Sequence, residues 1–253
     1  MPRQQKLRRP GRGERLGFWW RLTWVVLYVP FGVITKLRYH HLERVPRIGP
    51  AILIVNHISH IDPLLVARFI LDAGRVPRFL AKNSIFDVPI VGRAMTNMGH
   101  IPVTRGTVEA GQSLAAAVDA LRNGRVVLMH PEGTVTRDPD WWPMSARTGA
   151  ARLALLAPDV PVIPVGQWGV QEAVDLYHKK LRLFPRKQHH IIAGEPVDLR
   201  RFAGAPPTGE TLRAMTDVMM NEVRALVAQL RGEVAPVGGF YRYVRSKQPR
   251  DAA

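Results

Sequence analysis

No cysteine occurs among the 253 residues. Disulfides, a thiolate-ligated metal and a thiol nucleophile are therefore excluded, and the redox compartment stays undetermined. Acidic side chains are scarce: 20 Asp and Glu stand against 36 Lys and Arg, a formal net charge of +16. A balance that basic calls for an anionic partner, whether nucleic acid, anionic lipid or a phosphorylated substrate. Long apolar runs are missing too. The uncharged stretch 22–35 lies between Arg21 and Lys36, and a spanning helix needs roughly 20 apolar residues. No A-x-A-like site follows it, which argues against a cleaved signal peptide. Internal repeats are absent.

What is present suits one α/β domain with a sizeable core, since 46% of the residues are hydrophobic and 22% charged. Short apolar runs at 51–55, 78–81, 100–103, 126–129, 160–165 and 190–193 read as strands. Between them, 63–72, 108–123 and 145–156 carry helical patterns. The second of these has Thr107 at its N-cap and Gly124 past its end. A last helix opens at Thr208 or Thr211 and runs to Arg231. Such alternation predicts an α/β fold: a largely parallel sheet flanked by helices on both faces.

The expected layout is a disordered basic segment at 1–15, a helical anchor at 16–45, the α/β domain at 46–232 and a basic tail at 233–253 with little to bury. In the anchor, Trp20, Trp24 and Tyr28 recur every fourth residue and Phe31 continues the stripe. Aromatic rings with flanking cations favour a bilayer interface bearing anionic headgroups. The competing reading packs the same stripe against the core.

Candidate chemistry gathers where strands give way to polar turns. After 51–55 comes Asn56-His57-Ile58-Ser59-His60-Ile61-Asp62. An imidazole can take a proton near neutral pH, and a carboxylate on its other nitrogen fixes the tautomer. His57 and Asp62 would face apart in a regular helix, so the pair needs a loop leading into a helix. His60, closer in sequence to Asp62, is a rival, and a lone His near an Asp is more often a cap or surface residue. Lys82 follows 78–81, Arg105 follows 100–103, and His130-Pro131-Glu132-Gly133-Thr134 follows 126–129. In a parallel sheet these carboxyl ends share one rim, where open α/β sheets bind ligands. Each cation alone reads as a solvated surface charge. Together with a general base they suit a phosphorylated alcohol. The P-loop outline at 106–113 has Gln112 in place of the Lys that supplies charge to the phosphates, and is set aside. Backbone N–H groups near Gly133 or at the start of the helix after His57 are expected to hold an oxyanion.

These blocks, in this order, resemble the glycerolipid acyltransferases, in particular the 1-acyl-sn-glycerol-3-phosphate acyltransferases. The resemblance runs from about Ala51 to Pro196. It implies that His57 and Asp62 are the catalytic pair, with His60 a spacer. It implies that Arg105, in Gly99-His-Ile-Pro-Val-Thr-Arg105, and Lys82 bind the acceptor phosphate. Glu132, Gly133 and Thr134 would shape the acceptor site, and Asn56 and Ser59 are further expected substrate-binding residues. A fourth block, 160–165, matches an apolar strand. Two departures stand out. His130 occupies a position where the family often has Phe, and Val135 one where it often has Arg, with Arg137 two positions on.

The implied reaction moves a fatty acyl group from acyl-CoA or acyl carrier protein to the free hydroxyl of lysophosphatidic acid, giving phosphatidic acid for phospholipid biosynthesis. No metal and no cofactor beyond the acyl co-substrate is expected, and no nucleic-acid partner. The expected location is the cytoplasmic face of the cell membrane, on an anionic lipid surface. Two alternatives remain: the same chemistry on glycerol 3-phosphate, another lysophospholipid or a glycolipid, and a non-enzymatic basic protein that binds nucleic acid or anionic membrane.

Overall fold

The computed structural model describes residues 17–23, 25–26, 35–104, 109–175, 180–182 and 184–243. Runs such as Ala-Ile-Leu-Ile-Val can bury both faces of a strand, and such runs form the centre of the sheet. In chain order the elements are α1 (Phe18–Thr23), β1 (Thr35–His40), β2 (Ala51–Val55), α2 (Asp62–Asp72), β3 (Pro77–Lys82), α3 (Val91–Asn97), β4 (Ile101–Val103), α4 (Glu109–Arg122) and β5 (Val126–Met129). Then follow α5 (Gly149–Leu156), β6 (Val162–Trp168), β7 (Val174–Asp175), β8 (Lys180–Leu181), β9 (Lys187–Ala193) and α6 (Gly209–Arg231).

Seven strands form one sheet in the order β1-β9-β6-β2-β5-β3-β4, while β7 and β8 pair separately. The five strands β6, β2, β5, β3 and β4 are mutually parallel; β9 runs antiparallel to β6, and β1 parallel to β9. Alternate residues of each strand feed two cores. Leu53, Val55 and Leu128 pack with Phe69 and Ile70 of α2 on one face. Ile52, Ile54 and Val127 pack with Leu121 of α4, Leu153 of α5 and Met215 and Met219 of α6 on the other. Helices thus cover both faces, as the alternating pattern predicts. Close approach of α6 depends on glycine: a Cβ on Gly166 of β6 would lie 2.7 Å from Leu226 Cβ.

Three expectations need correction. The segment 16–45 is not an anchor throughout, because Thr35–His40 forms β1 and pairs residue for residue with 187–192 of β9. Val45 lies in the core, and so does Trp20, whose ring meets His100 edge-on at 5.4 Å. Trp20 therefore follows the competing reading, whereas Trp24, Tyr28 and Phe31 lie outside the described residues, as does 1–15. The tail from 233 is not without partners. Tyr241 accepts at its carbonyl from Ser145 N, 2.9 Å, and the Arg224 and Arg137 guanidinium groups lie over the Phe240 and Tyr243 rings at 4.5 and 5.3 Å. Finally, α5 starts at Gly149 rather than 145, since Ser145 and Arg147 donate their N–H groups to Tyr241 and Pro131 instead. No described helix is long and apolar enough to cross a membrane.

Candidate active site

The chain leaves β2 at Val55 and enters α2 at Asp62. In between, the backbone turns so that Asp62, at the first position of α2, faces back along the loop. Its Oδ2 accepts from Ile58 N at 2.6 Å, Ser59 N at 2.9 Å and His57 Nδ1 at 3.0 Å. The His57 ring bonds this carboxylate directly, and nearby His60 acts on it electrostatically. With Nδ1–H committed to Asp62, the His57 lone pair sits on Nε2. Asp62 is fully buried, and burial pushes its carboxyl up to about 7, against the pull of the two backbone donors. A carboxylate short of solvation is stabilised when the ring beside it takes a positive charge.

The His57 backbone is held as firmly as its ring. Its N–H donates to Glu132 Oε1 at 2.8 Å, and its carbonyl accepts from Thr136 N at 2.7 Å. Both partners come from the turn after β5, where Gly133 takes φ +76°, a value that favours glycine. The second Glu132 oxygen accepts from Met144 N at 3.0 Å. Burial pushes the Glu132 carboxyl up to about 8. His130, at the end of β5, stacks on His57 with centroids 4.4 Å apart and planes inclined by 21°. Its Nδ1 lies 3.1 Å from the carbonyls of both Val55 and Asn56, so Nδ1 carries the proton. Burial, then neighbouring His57, holds the His130 imidazole down at about 3, so this ring stays neutral beside the first.

Three of the expected substrate-binding residues are bonded within the loops. Asn56 is fully buried and pairs with Gln167 of β6 much as another peptide unit would. Asn56 Nδ2 donates to Gln167 O (3.1 Å), Gln167 N to Asn56 Oδ1 (2.9 Å) and Gln167 Nε2 to Asn56 O (2.7 Å). Ser59 is buried and its hydroxyl donates to Val174 O at 2.9 Å. Glu132 has both oxygens on backbone donors. Through these bonds all three hold the loops in place. The backbone donors expected for an oxyanion are committed as well: His57 N to Glu132, Ile58 N and Ser59 N to Asp62, and Gly133 N to His130 O at 3.0 Å.

Lys82 ends β3, exposed, with Val103 of β4 as its partner across the ladder. Leu53, Leu128 and Phe79 lie in one row across β2, β5 and β3. Asn56 and Lys82 are each three residues beyond that row, so they emerge from one rim two strand spacings apart, about 10 Å. Arg105 lies outside the described residues, two positions past Val103. Gly133 and Thr134 are half-buried on the same rim. Among the described residues, no group of three His, Asp or Glu could hold a metal ion.

The His130 stack, the Gln167 clamp and the Thr136 bond went unforeseen in the sequence. The first had a signal, since His130 departs from the usual residue at its position. A polar Gln two residues past the apolar run 160–165 signalled the second, and nothing local signalled the third.

Comparison with known proteins shows what the chain as a whole resembles. The family model for Acyltransferase matches residues 36–168. The chloroplast 1-acyl-sn-glycerol-3-phosphate acyltransferase LPAT1 of Arabidopsis thaliana is 28% identical over 165 residues, 61% of this chain and 44% of that protein. The chloroplast enzyme BAT2 of Brassica napus is 30% identical over 166 residues, 62% and 45% of the two chains. The chain thus spans under half the length of these curated relatives. In fold it is similar to the 1-acyl-sn-glycerophosphate acyltransferase PlsC of Thermotoga maritima, with TM-score 0.60, 23% identity, and coverage of 83% of this chain and 78% of that one. Because the matched model covers more than half the chain and takes in β2 through β6 together with His57, Asp62 and Glu132, the chain belongs to the Acyltransferase family.

Proposed function

We propose that this protein transfers a fatty acyl group from a thioester donor to the free hydroxyl of lysophosphatidic acid, forming phosphatidic acid at a membrane surface. The observation that carries the proposal is the 3.0 Å bond from His57 Nδ1 to buried Asp62 on the rim where parallel strands end. The names of the Arabidopsis and Brassica relatives support the same acceptor.

In the proposed reaction His57 Nε2 removes the hydroxyl proton of the acceptor as its oxygen attacks the thioester carbonyl. Asp62 stabilises the imidazolium that results. The C–O bond forms, the C–S bond breaks, and the thiolate leaves with the proton that His57 carries. A thiolate is a good leaving group, so direct transfer requires neither metal, ATP nor a covalent enzyme intermediate. Lys82 and Arg105 hold the acceptor phosphate, Lys as a point charge and Arg as a bidentate fork. The stack on His130 and the bonds to Glu132 and Thr136 keep the imidazole at a fixed angle, which supplies the proximity term. Acyl-CoA or acyl carrier protein serves as donor. The N-terminal segment and the excess of basic residues bring the rim to the cytoplasmic face of the cell membrane.

Incubation of the purified protein with labelled acyl-CoA or acyl carrier protein and a panel of lysolipids tests this. Lysophosphatidic acid should be the preferred acceptor. Arg105→Ala should chiefly raise KM for it, and equal loss with a phosphate-free acceptor would contradict the phosphate role. Salt-sensitive nucleic-acid binding without acyl transfer would favour the non-enzymatic alternative.

A further inference from the structure

Between β3 and α3 the chain makes a tightly bonded loop with its apolar side chains turned outward. Phe86 N donates to Asn83 O at 2.8 Å, Gly92 N to Val88 O at 2.7 Å and Ala94 N to Ile90 O at 2.9 Å. The loop closes so tightly that a Cβ on Gly92 would collide with the Phe86 carbonyl. At its tip Ile90 has φ +67° and ψ −53°, and Val91 N donates to Pro89 O at 2.7 Å. This is a γ-turn of the strained hand, and a β-branched residue at its centre is an outlier. The strain gains no burial within the fold. Ile90 is 75% exposed, Val88 47%, Val91 45% and Ile85 38%.

Exposed cations border these side chains, Lys82 on one flank and Arg93 on the other, with the single exposed carboxylate of Asp87 between them. At the opposite end of α3, Thr23 of α1 reaches Met98 at 3.6 Å, and α1 with the residues just after it exposes Phe18, Leu22, Val25 and Val26 beside Arg21. An exposed apolar cluster rimmed by charge marks an interaction surface. Cations around apolar tips match an anionic headgroup layer over hydrocarbon, and a protein of net charge +16 is drawn to such a layer.

We infer that the 85–91 loop is a membrane-docking wedge, with Ile90 as its tip, that seats in an anionic lipid surface alongside α1. The loop leaves β3 directly after Lys82, on the rim that carries His57, so seating it brings that rim to the lipid. This rests on the proposed action on a lipid acceptor, but its primary test needs no catalysis.

The full-length protein is sedimented with vesicles of phosphatidylcholine and phosphatidylglycerol. Ile90→Gly relieves the γ-turn, so the variant should melt no lower than the native protein. It should partition about tenfold more weakly, the effect of removing one well-inserted aliphatic side chain. Val88→Ser should weaken partitioning in the same direction, whereas Val237→Ser, at a fully exposed site in the C-terminal segment, should leave it unchanged. Binding should drop on pure phosphatidylcholine vesicles and in high salt.

Acyl transfer to a short-chain, monomeric lysophosphatidate should stay at the native rate in Ile90→Gly, while transfer to vesicle-embedded acceptor falls about as much as binding does. Native partitioning by Ile90→Gly and Val88→Ser would overturn the inference. So would unchanged partitioning with an altered chain-length preference, which would assign the loop to the acyl donor. Weakened partitioning in a protein that acylates nothing would leave the wedge standing and remove the proposed reaction.

Discussion

Replacing Glu132 by Gln keeps the size of the side chain and removes half of its accepting oxygens. In the native protein one oxygen accepts from His57 N and the other from Met144 N, at 2.8 and 3.0 Å. A carboxamide has a single oxygen, so one buried N–H would face another donor. An unsatisfied buried donor costs about 1–3 kcal/mol, a sizeable part of the roughly 5–15 kcal/mol that stabilises a domain. For a domain this large each kcal/mol moves Tm by about 2–4 °C, so Glu132→Gln should melt about 2–12 °C lower. The deficit should also depend on pH. Burial raises the Glu132 carboxyl from 4.5 to about 8. Between those values the folded protein holds a proton that the unfolded chain has released. This contribution to stability is full below the lower value and is lost as pH rises through the upper one. Glutamine has no such proton. The gap between the two proteins should therefore be widest near the lower value and narrow with rising pH by at most about 1.4 kcal/mol per unit, enough to close or reverse it toward the upper value. Thermal unfolding of both proteins across that range measures it. A gap that is absent near the lower value, or that widens toward alkaline pH, would refute the buried placement of this carboxylate.

Asp62→Asn leaves one neutral amide oxygen for the three donors that now share Oδ2 and removes the charge that stabilises the His57 imidazolium. Turnover should fall by about 10²-fold or more, with KM little changed, as steady-state kinetics would show. His100 is buried, accepts from Phe79 N at 3.1 Å, and is held down at about 3 by burial and then by Arg78. Here the unfolded chain binds the extra proton between about 3 and 6.5, so stability rises with pH across that window. His100→Gln keeps an acceptor and should flatten the rise of Tm with pH, by up to about 1.4 kcal/mol per unit.

The parts of the fold legible in the sequence are those whose pattern is local. Ala51–Val55 and Val126–Met129 are apolar throughout and bounded by polar turns, so their ends could be read directly. Thr208 marks the start of α6, where its hydroxyl accepts from Thr211 N, and Gly232 at φ +66° marks the end. What escaped depends on distant partners. Thr35–His40 alternates buried and exposed residues like an edge strand, but it follows an apolar stretch directly, and its partner β9 lies some 150 positions on. α3 is seven residues long with Gly92 inside, too short for a periodic signal.

The candidate site shows the same division. The spacing of His57 and Asp62 was enough to require a loop entering a helix, and the structure has one. The inward turn of Asn56, Ser59 and Glu132 was not visible, because polar residues beside a candidate base look equally suited to substrate or to backbone until burial is known. His130 shows the limit most clearly. Its ring lies flat on His57 across two different strand ends, a contact no spacing along the chain encodes.

The most direct test of the account is acyl transfer by His57→Ala, with circular dichroism and melting behaviour confirming that the variant is folded. Loss of the base should lower turnover on lysophosphatidate by about 10²–10⁴-fold. Transfer at close to the native rate by that folded variant would contradict the assignment of His57 as the group that accepts the acceptor's proton.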